Sequence, residues 1–158
     1  MRKFFLGLGV VAASVIVAAG IGLFVLARNG NALDQMSKAY VEDSVVAIAA
    51  NWDANEFWKR ASPHLRTTIK QDDVRGLFDA AKGALGSLVD YRGSKGEALI
   101  SVMNARSTVS ARYVANGHFQ KGDAQFQIVL VKQGDAWMIE GFHINSPALM
   151  QRLVGVRS

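Results

Sequence analysis

The sequence predicts an α+β domain in which about three helices pack on one face of a bent antiparallel sheet, preceded by a transmembrane helix. Three observations support this prediction. Residues 4–27 carry no charged side chain, apolar residues between 33 and 88 recur with the helical period of about 3.6, and beyond residue 88 the period falls towards two. Helices that come first in the chain, followed by strands joined by short turns, are typical of this fold class.

Composition restricts the domain to one hydrophobic core and excludes several kinds of site. With about 30 N-terminal residues set aside, the rest of the 158-residue chain is long enough for one core but not for two. The chain contains no cysteine, which excludes disulfides, thiolate metal sites and cysteine nucleophiles. Three of the basic residues behind the net charge of +5 flank the apolar segment. The domain itself is therefore close to neutral, and its charge does not support nucleic-acid binding.

The charge-free segment is predicted to be an uncleaved membrane anchor. A helix of this length spans roughly 36 Å, whereas the hydrocarbon core of a bilayer is about 30 Å thick. Arg2 and Lys3 precede the segment and only Arg28 follows it directly, so the positive-inside rule places the N-terminus in the cytoplasm. We therefore expect a single-pass protein of a bacterial-type plasma membrane with a periplasmic or extracellular domain. Cleavage near Ala27, which would secrete the domain, is the alternative.

The anchor also contains a possible helix-packing stripe. Ser14, Ala18 and Gly22 recur at every fourth position, a spacing that lets two membrane helices approach closely. Plain lipid-facing filler explains such small residues equally well. The predicted boundaries are an anchor at residues 1–28, a linker at 29–32, the α+β domain at 33–147 and a C-terminal tail at 148–158.

The helical region contains two amphipathic stripes with helix-start signals between them. The first stripe consists of Leu33, Met36, Tyr40, Val41, Val45, Ile48 and Trp52. Asp53, followed three residues later by Glu56, is a capping box and predicts a second helix. Ser62 and Pro63 predict another start, since proline suits a first helical position. A third helix is predicted after Asp72, with glycines at its C-terminal end.

The strand region reads as a meander. The predicted strands cover residues 88–92, 97–102, 108–119 and the two halves of 124–146, with turns at 93–96, 121–123 and 134–135. The last two strands carry alternating apolar and polar residues on either side of Gly134. Pro147 is expected to end the sheet, and residues 148–154 are predicted to be helical.

Turn positions assign the strand residues to two faces. The face expected under the helices contains Ala111, Tyr113, Ala115, Phe126, Ile128, Leu130, Trp137, Ile139, Gly141 and His143. The opposite face contains Arg112, Val114, Asn116, Gln125, Gln127, Val129, Val131, Met138, Glu140, Phe142 and Ile144. This regular register is the favoured one. A β-bulge at Gly141 is the alternative, and it would turn Phe142 and Ile144 inward and His143 outward.

The helices, together with the end of the last hairpin, resemble a known superfamily. The segment from Asn51 to Arg60 and the pattern G-x-x-W-x-I-x-x-F at residues 134–142 resemble the nuclear-transport-factor-2-like or cystatin-like (ketosteroid-isomerase or SnoaL-like) superfamily. The resemblance implies helices lying across a strongly bent sheet, with a pocket in its concavity. Members include isomerases, dehydratases and non-enzymatic transport factors, so the fold alone does not settle function.

The candidate pocket residues are the ones predicted to face the helices. They are Trp58, Tyr113, Phe126, Trp137 and His143. Histidine titrates near neutrality, so His143 with Tyr113 could supply acid–base catalysis in a small isomerase-like or dehydratase-like site. The simpler interpretation is one solvated histidine near a sheet edge. The sequence contains no complete catalytic motif, and no spacing of histidines and acids predicts a metal site or a cofactor.

The opposite sheet face gives the leading functional hypothesis. Its apolar members form an expected partner patch and are Val114, Val129, Val131, Met138, Phe142 and Ile144. A patch of several hundred square ångströms usually has a partner. We therefore expect a membrane-anchored extracytoplasmic binding or assembly module without catalysis, paired with itself or with another envelope protein. The alternatives are the small-pocket enzyme and a carrier of a lipid or other hydrophobic ligand.

Overall fold

Helices and a four-stranded sheet make up residues 31–155, which are the residues that the computed structural model describes. Of the described residues, those from Asp34 onwards form one compact unit. The predicted anchor, its stripe at Ser14, Ala18 and Gly22, and the cleavage site near Ala27 lie outside the described residues. Within residues 31–155, no helix is long and apolar enough to cross a membrane.

Helices occupy the first half of the described chain, as predicted. They are α1 (residues 31–49), α2 (Ala54–Arg60), α3 (Pro63–Thr68) and α4 (Gln71–Leu85). Residues 31 and 32, assigned to the linker from the sequence, are already helical. Trp52, expected on the α1 stripe, lies beyond that helix with a positive φ of 53°. Its indole nitrogen donates a hydrogen bond of 2.7 Å to the carbonyl of Gly86, which ties the end of α1 to the end of α4.

The helix caps confirm most of the start and stop signals. The Asp53 carboxylate accepts from the backbone N–H of Asn55 and Glu56, and the Ser62 hydroxyl accepts from the N–H of Leu65. The capping box is only half formed, because Glu56 bonds Lys59 and Arg60 instead of reaching back to Asp53. Gly86 ends α4 with a φ of 74°, a left-handed conformation that glycine adopts without strain.

The sheet is an antiparallel meander with the strand order β1-β2-β3-β4. The strands are β1 (Leu88–Met103), β2 (Arg106–Phe119), β3 (Gly122–Gln133) and β4 (Ala136–Asn145), followed by α5 (Pro147–Gly155). The α+β class, the antiparallel sheet and the helical C-terminal segment are therefore confirmed.

The predicted turn at residues 93–96 is wrong, because β1 is one long strand. Its pairing with β2 shifts between Leu88 and Asp90 and again between Tyr91 and Ser94. The second irregularity contains Gly93, whereas Gly96 pairs regularly with Tyr113. The chain reverses instead at Asn104 and Ala105, whose φ values of 51° and 60° suit a tight type I′ hairpin turn. Asparagine tolerates this conformation, whereas alanine adopts it at a cost of about 1–2 kcal/mol.

A β-bulge in β4 decides which residues face the helices. Val129 pairs with Gly141 and Leu130 pairs with Ile139, which leaves Glu140 as the extra residue. The favoured unbulged register is therefore wrong. Phe142 and the buried Ile144 point towards the helices, whereas Gly141 and the exposed His143 lie on the opposite face.

The core lies between the helices and the inner face of the sheet. An aromatic cluster fills its centre and consists of Trp52, Phe57, Phe78, Phe119, Phe126 and Phe142. Trp52 stacks on Phe119 with ring centroids 5.2 Å apart, and Phe57 contacts Phe142 edge-on at 5.4 Å. Phe142 also lies 5.6 Å from Phe126. Aromatic side chains from the helices and from the sheet therefore pack against one another at the centre of the core.

Candidate functional site

The structure does not bring together the proposed acid–base pair. His143 is exposed and pairs with Gln127 on the outer face, whereas Tyr113 is buried under α1 on the inner face. The Tyr113 hydroxyl hydrogen-bonds the Ser37 hydroxyl at 2.8 Å and donates to the Asp34 carbonyl at 3.0 Å. Its role is therefore to hold α1 on the sheet. The geometry does not support an acid–base pair of His143 and Tyr113, since the two side chains lie on opposite faces of the sheet.

Two of the other three candidate pocket residues belong to the core. Phe126 is fully buried within the aromatic cluster, Trp137 is buried at the start of β4, and Trp58 is half-buried on α2. The space between the helices and the sheet, where the resemblance predicts a pocket, is thus occupied by aromatic side chains.

A small apolar cavity opens at one margin of the aromatic cluster. It has a volume of about 260 Å³ and lies between α3, α4 and β4. Its walls are Phe57, Thr68, Ile69, Asp73, Val74, Leu77, Phe78 and Phe142. Pockets for drug-sized ligands usually measure about 300–1,000 Å³, so this cavity gives little support to the carrier hypothesis.

The outer sheet face is the candidate site that the geometry retains. Val114, Val129, Val131 and Met138 lie on it, and each is only half-buried. Phe142 and Ile144 do not belong to this face, which corrects the predicted partner patch. Gly141 replaces them beside Val129, where a Cβ atom would come within 3.4 Å of the Val129 Cβ. The bulge thus leaves a strip of aliphatic side chains on the outer face, with a shallow depression at Gly141 in β4, where there is no side chain.

Two adjoining depressions shape this face. One, of about 250 Å³, is lined by residues that include Arg112, Val114, Gln127 and Val129. The other, of about 590 Å³, has polar walls that include Lys95, Asn116, Gln125 and Asn145. The face therefore offers an aliphatic centre next to a polar groove, an arrangement that suits a protein surface with a dry centre and a polar rim.

Ion pairs border the polar groove. Arg92 lies 3.7 Å from the Asp123 carboxylate, which also hydrogen-bonds the His118 ring. The His118 hydrogen bond, assisted by the charge of Arg92, lowers the pKa of Asp123. The carboxylate therefore stays ionised at neutral pH and limits the positive charge contributed by Arg92.

Glu140 forms a polar cluster that sequence reasoning missed. Its carboxylate accepts hydrogen bonds from the Ser62 hydroxyl and from the His64 ring, and the Ser62 N–H donates to the Ile139 carbonyl at 2.8 Å. The order of contacts is serine–glutamate–histidine, so the carboxylate separates the hydroxyl from the imidazole. A nucleophilic triad needs the histidine in the middle, and this cluster instead fixes the start of α3 to β4.

Histidines and acids do not converge further in the described part of the chain. Within residues 31–155, no group of three or more His, Asp or Glu side chains could hold a metal ion. His64 and His118 each contact a single acid, Glu140 and Asp123 respectively. No protein-family model, curated protein or solved structure matches this chain.

Proposed function

We propose that this chain is a membrane-anchored, extracytoplasmic binding module that pairs with a second copy of itself through the outer sheet face. The main support for the proposal is that the two faces of the sheet differ in how far they are covered. The aromatic cluster fills the inner side, whereas the outer side presents Val114, Val129, Val131 and Met138, none of them fully covered. The function therefore lies in contact with a partner.

A second copy is the partner that this face fits best. A two-fold dimer needs one surface that complements itself, and an aliphatic strip bordered by amides and by both signs of charge meets that need. Membrane anchoring strengthens such pairing, because confinement raises the effective concentration of the two domains.

Different observations support the membrane anchor and the superfamily relationship. The anchor rests on the charge-free residues 4–27 and on the basic residues before them. A nuclear-transport-factor-2-like relationship is supported by helices on one face of a four-stranded antiparallel meander. Members of that superfamily often pair through the sheet, which agrees with the outer face as a partner surface.

Cysteine cross-linking in membranes tests the proposal cleanly, because the chain has no cysteine of its own. We expect full-length Gln127→Cys, with its exposed position beside the strip, to form a covalent dimer under mild oxidation. The matched control is Val46→Cys, an exposed position on α1. It should stay monomeric, and adding Val129→Lys to Gln127→Cys should abolish the dimer.

The opposite pattern would contradict self-pairing. A Gln127→Cys chain that stays monomeric, or a dimer that survives Val129→Lys, removes the outer face as the interface. Circular dichroism of the Val129→Lys variant shows whether the fold is intact, so that a lost dimer is not mistaken for an unfolded domain.

A further inference from the structure

The β1–β2 hairpin extends beyond the rest of the sheet. β3 pairs with β2 only as far as Ser110, so residues 100–103 and 106–109 pair with each other alone. We call residues 99–109 the hairpin arm. Its large apolar side chains are exposed: Leu99 by 43%, Ile100 by 47%, Val102 by 68% and Met103 by 72%. These values exceed those of Val114, Val129 and Val131 on the outer sheet face, which are only half-buried.

Apolar side chains lie on both faces of the arm. Alternation along β1 places Leu99 and Met103 on one face and Ile100 and Val102 on the other. A protein partner stacked on the arm would cover only one of these faces. If the tip of the arm enters a lipid surface, lipid covers both faces. Apolar side chains on both faces therefore favour lipid over a protein partner.

The arm extends in the direction in which α1 runs back towards its N-terminal end. The Asp34 carboxylate accepts from the Ala98 N–H at 2.6 Å, and Glu42 accepts from Ser94 at 3.4 Å. Moving back along α1 from Glu42 to Asp34 therefore runs the same way as moving along β1 from Ser94 to Ala98. The arm continues beyond Ala98 in that direction for about 17 Å at about 3.3 Å per residue.

Chain length brings a bilayer within reach of the arm. The predicted anchor ends at residue 27, and the connection from there to Asp34 spans at most about 25 Å. If the anchor is in place, the membrane surface lies within about 25 Å of Asp34, whose carboxylate contacts the β1 residue just before the arm.

The charge of the arm also suits lipid headgroups. Between Glu97 and Asp123 the chain has no acidic residue, whereas Arg106 lies in the arm and Arg112 follows it. Basic side chains beside exposed apolar ones favour the headgroup region of an anionic leaflet. The unpaired edges of the two strands keep the contact shallow, because open backbone edges are not tolerated in hydrocarbon.

We propose that the hairpin arm is a second membrane contact, which enters the headgroup region of the bilayer that holds the anchor. The proposal rests on the membrane anchoring in the proposed function. The arm and the anchor together would hold the domain in one orientation, with the outer sheet face turned towards a neighbouring copy.

Fluorescent labels at single introduced cysteines test this contact. Full-length Met103→Cys, carrying an environment-sensitive label, is placed in nanodiscs of phosphatidylcholine and phosphatidylglycerol. We expect a blue-shifted emission, quenching by headgroup-attached nitroxide lipids, and loss of most quenching by aqueous iodide. Lys121→Cys, in the turn at the other end of β2, is the matched control and should behave as a water-exposed site.

The outcomes separate the arm from the anchor. If the label at residue 103 is as open to iodide as the one at 121 while the chain stays in the nanodisc, the arm proposal alone fails. A label shielded from iodide but not quenched by nitroxide lipid means that protein covers the arm, which also overturns it. A chain that leaves the nanodisc refutes the anchor, and with it the proposed function.

Discussion

Adjacent residues in β4 have opposite environments because of one extra residue. Phe142 contacts Phe57, Phe78 and Phe126, whereas His143 is exposed beside Gln127. The bulge at Glu140 sets this alternation, and a regular strand would exchange the two positions.

Truncating the two side chains separately tests the register. We expect Phe142→Ala to lower the free energy of unfolding by about 3 kcal/mol, since it leaves a hole in the aromatic cluster. The matched change His143→Ala should alter it by less than about 0.5 kcal/mol, as is usual for exposed positions. Urea unfolding of both variants measures the difference. A large loss for His143→Ala with a small one for Phe142→Ala would mean that the strand is regular.

This bulge marks the limit of what the sequence could predict at the residue scale. The caps at Asp53 and Ser62 depend on neighbouring residues, and alternation on β2 and β3 depends on a local period; both were predicted. Gly141 makes a bulge possible, which is why the sequence leaves it as the alternative, but the contact of α3 with β4 at the bulge has no local pattern. The regular alternation of the strand places Gly141 among the inward residues. The contacts of Ser62 and His64 with Glu140 are long-range and do not show in this alternation.

At the scale of elements, the junction between α2 and α3 is joined to the sheet at β4. Ala61 makes a parallel bridge with Ile139, and the Ser62 hydroxyl both caps α3 and donates to Glu140. One buried side chain thus serves a helix terminus and a sheet contact together.

A double-mutant cycle measures this shared role. Ser62→Ala should cost about 1 kcal/mol for the lost helix cap, and more if the bond to Glu140 also stabilises the fold. We expect Ser62→Ala and Glu140→Gln to be non-additive in urea unfolding, with a coupling of about 0.5–3 kcal/mol. Glu42→Gln, an acid-to-amide change on α1, is the control and should add to Ser62→Ala independently. Additivity with Glu140→Gln would show that the contact contributes nothing.

The β1 strand shows how elements can mislead sequence reasoning. Gly93 and Gly96 in a polar segment are typical of a turn, but the strand continues through both, with shifted pairing at Gly93 and regular pairing at Gly96. At Gly96 a Cβ atom would lie 1.9 Å from the Arg112 carbonyl, so this glycine serves the close approach of two strands. The true turn at Asn104 and Ala105 lacks glycine and therefore gave no signal.

At the scale of the whole molecule, all three tyrosines of the chain are at least half-buried. Burial raises the pKa of Tyr40, Tyr91 and Tyr113 above the ordinary value of 10.0, and the hydrogen bond from Ser37 offsets part of the rise at Tyr113. The folded protein therefore holds these protons more tightly than the unfolded chain does.

This difference predicts a loss of stability at alkaline pH. The contribution is fully present below about pH 10 and is lost as the pH rises through the folded-state pKa values. Phenolate absorbance should appear at higher pH in the native protein than in urea, and urea midpoints should fall above about pH 10. Tyr113→Phe should weaken this alkaline decline. Native tyrosines that titrate together with the denatured ones would contradict the burial of these phenols.

The bonds between α1 and the sheet also have a mechanical consequence. Any pull on the chain at Asp34 reaches β1 through the Ala98 amide and reaches β2 through the Tyr113 hydroxyl. Because the ladder between β1 and β2 lies across the direction of that pull, its rungs are loaded in shear and share the force. A pull on the domain at Asp34 would therefore load the longest strand pair in the described chain, the one between β1 and β2.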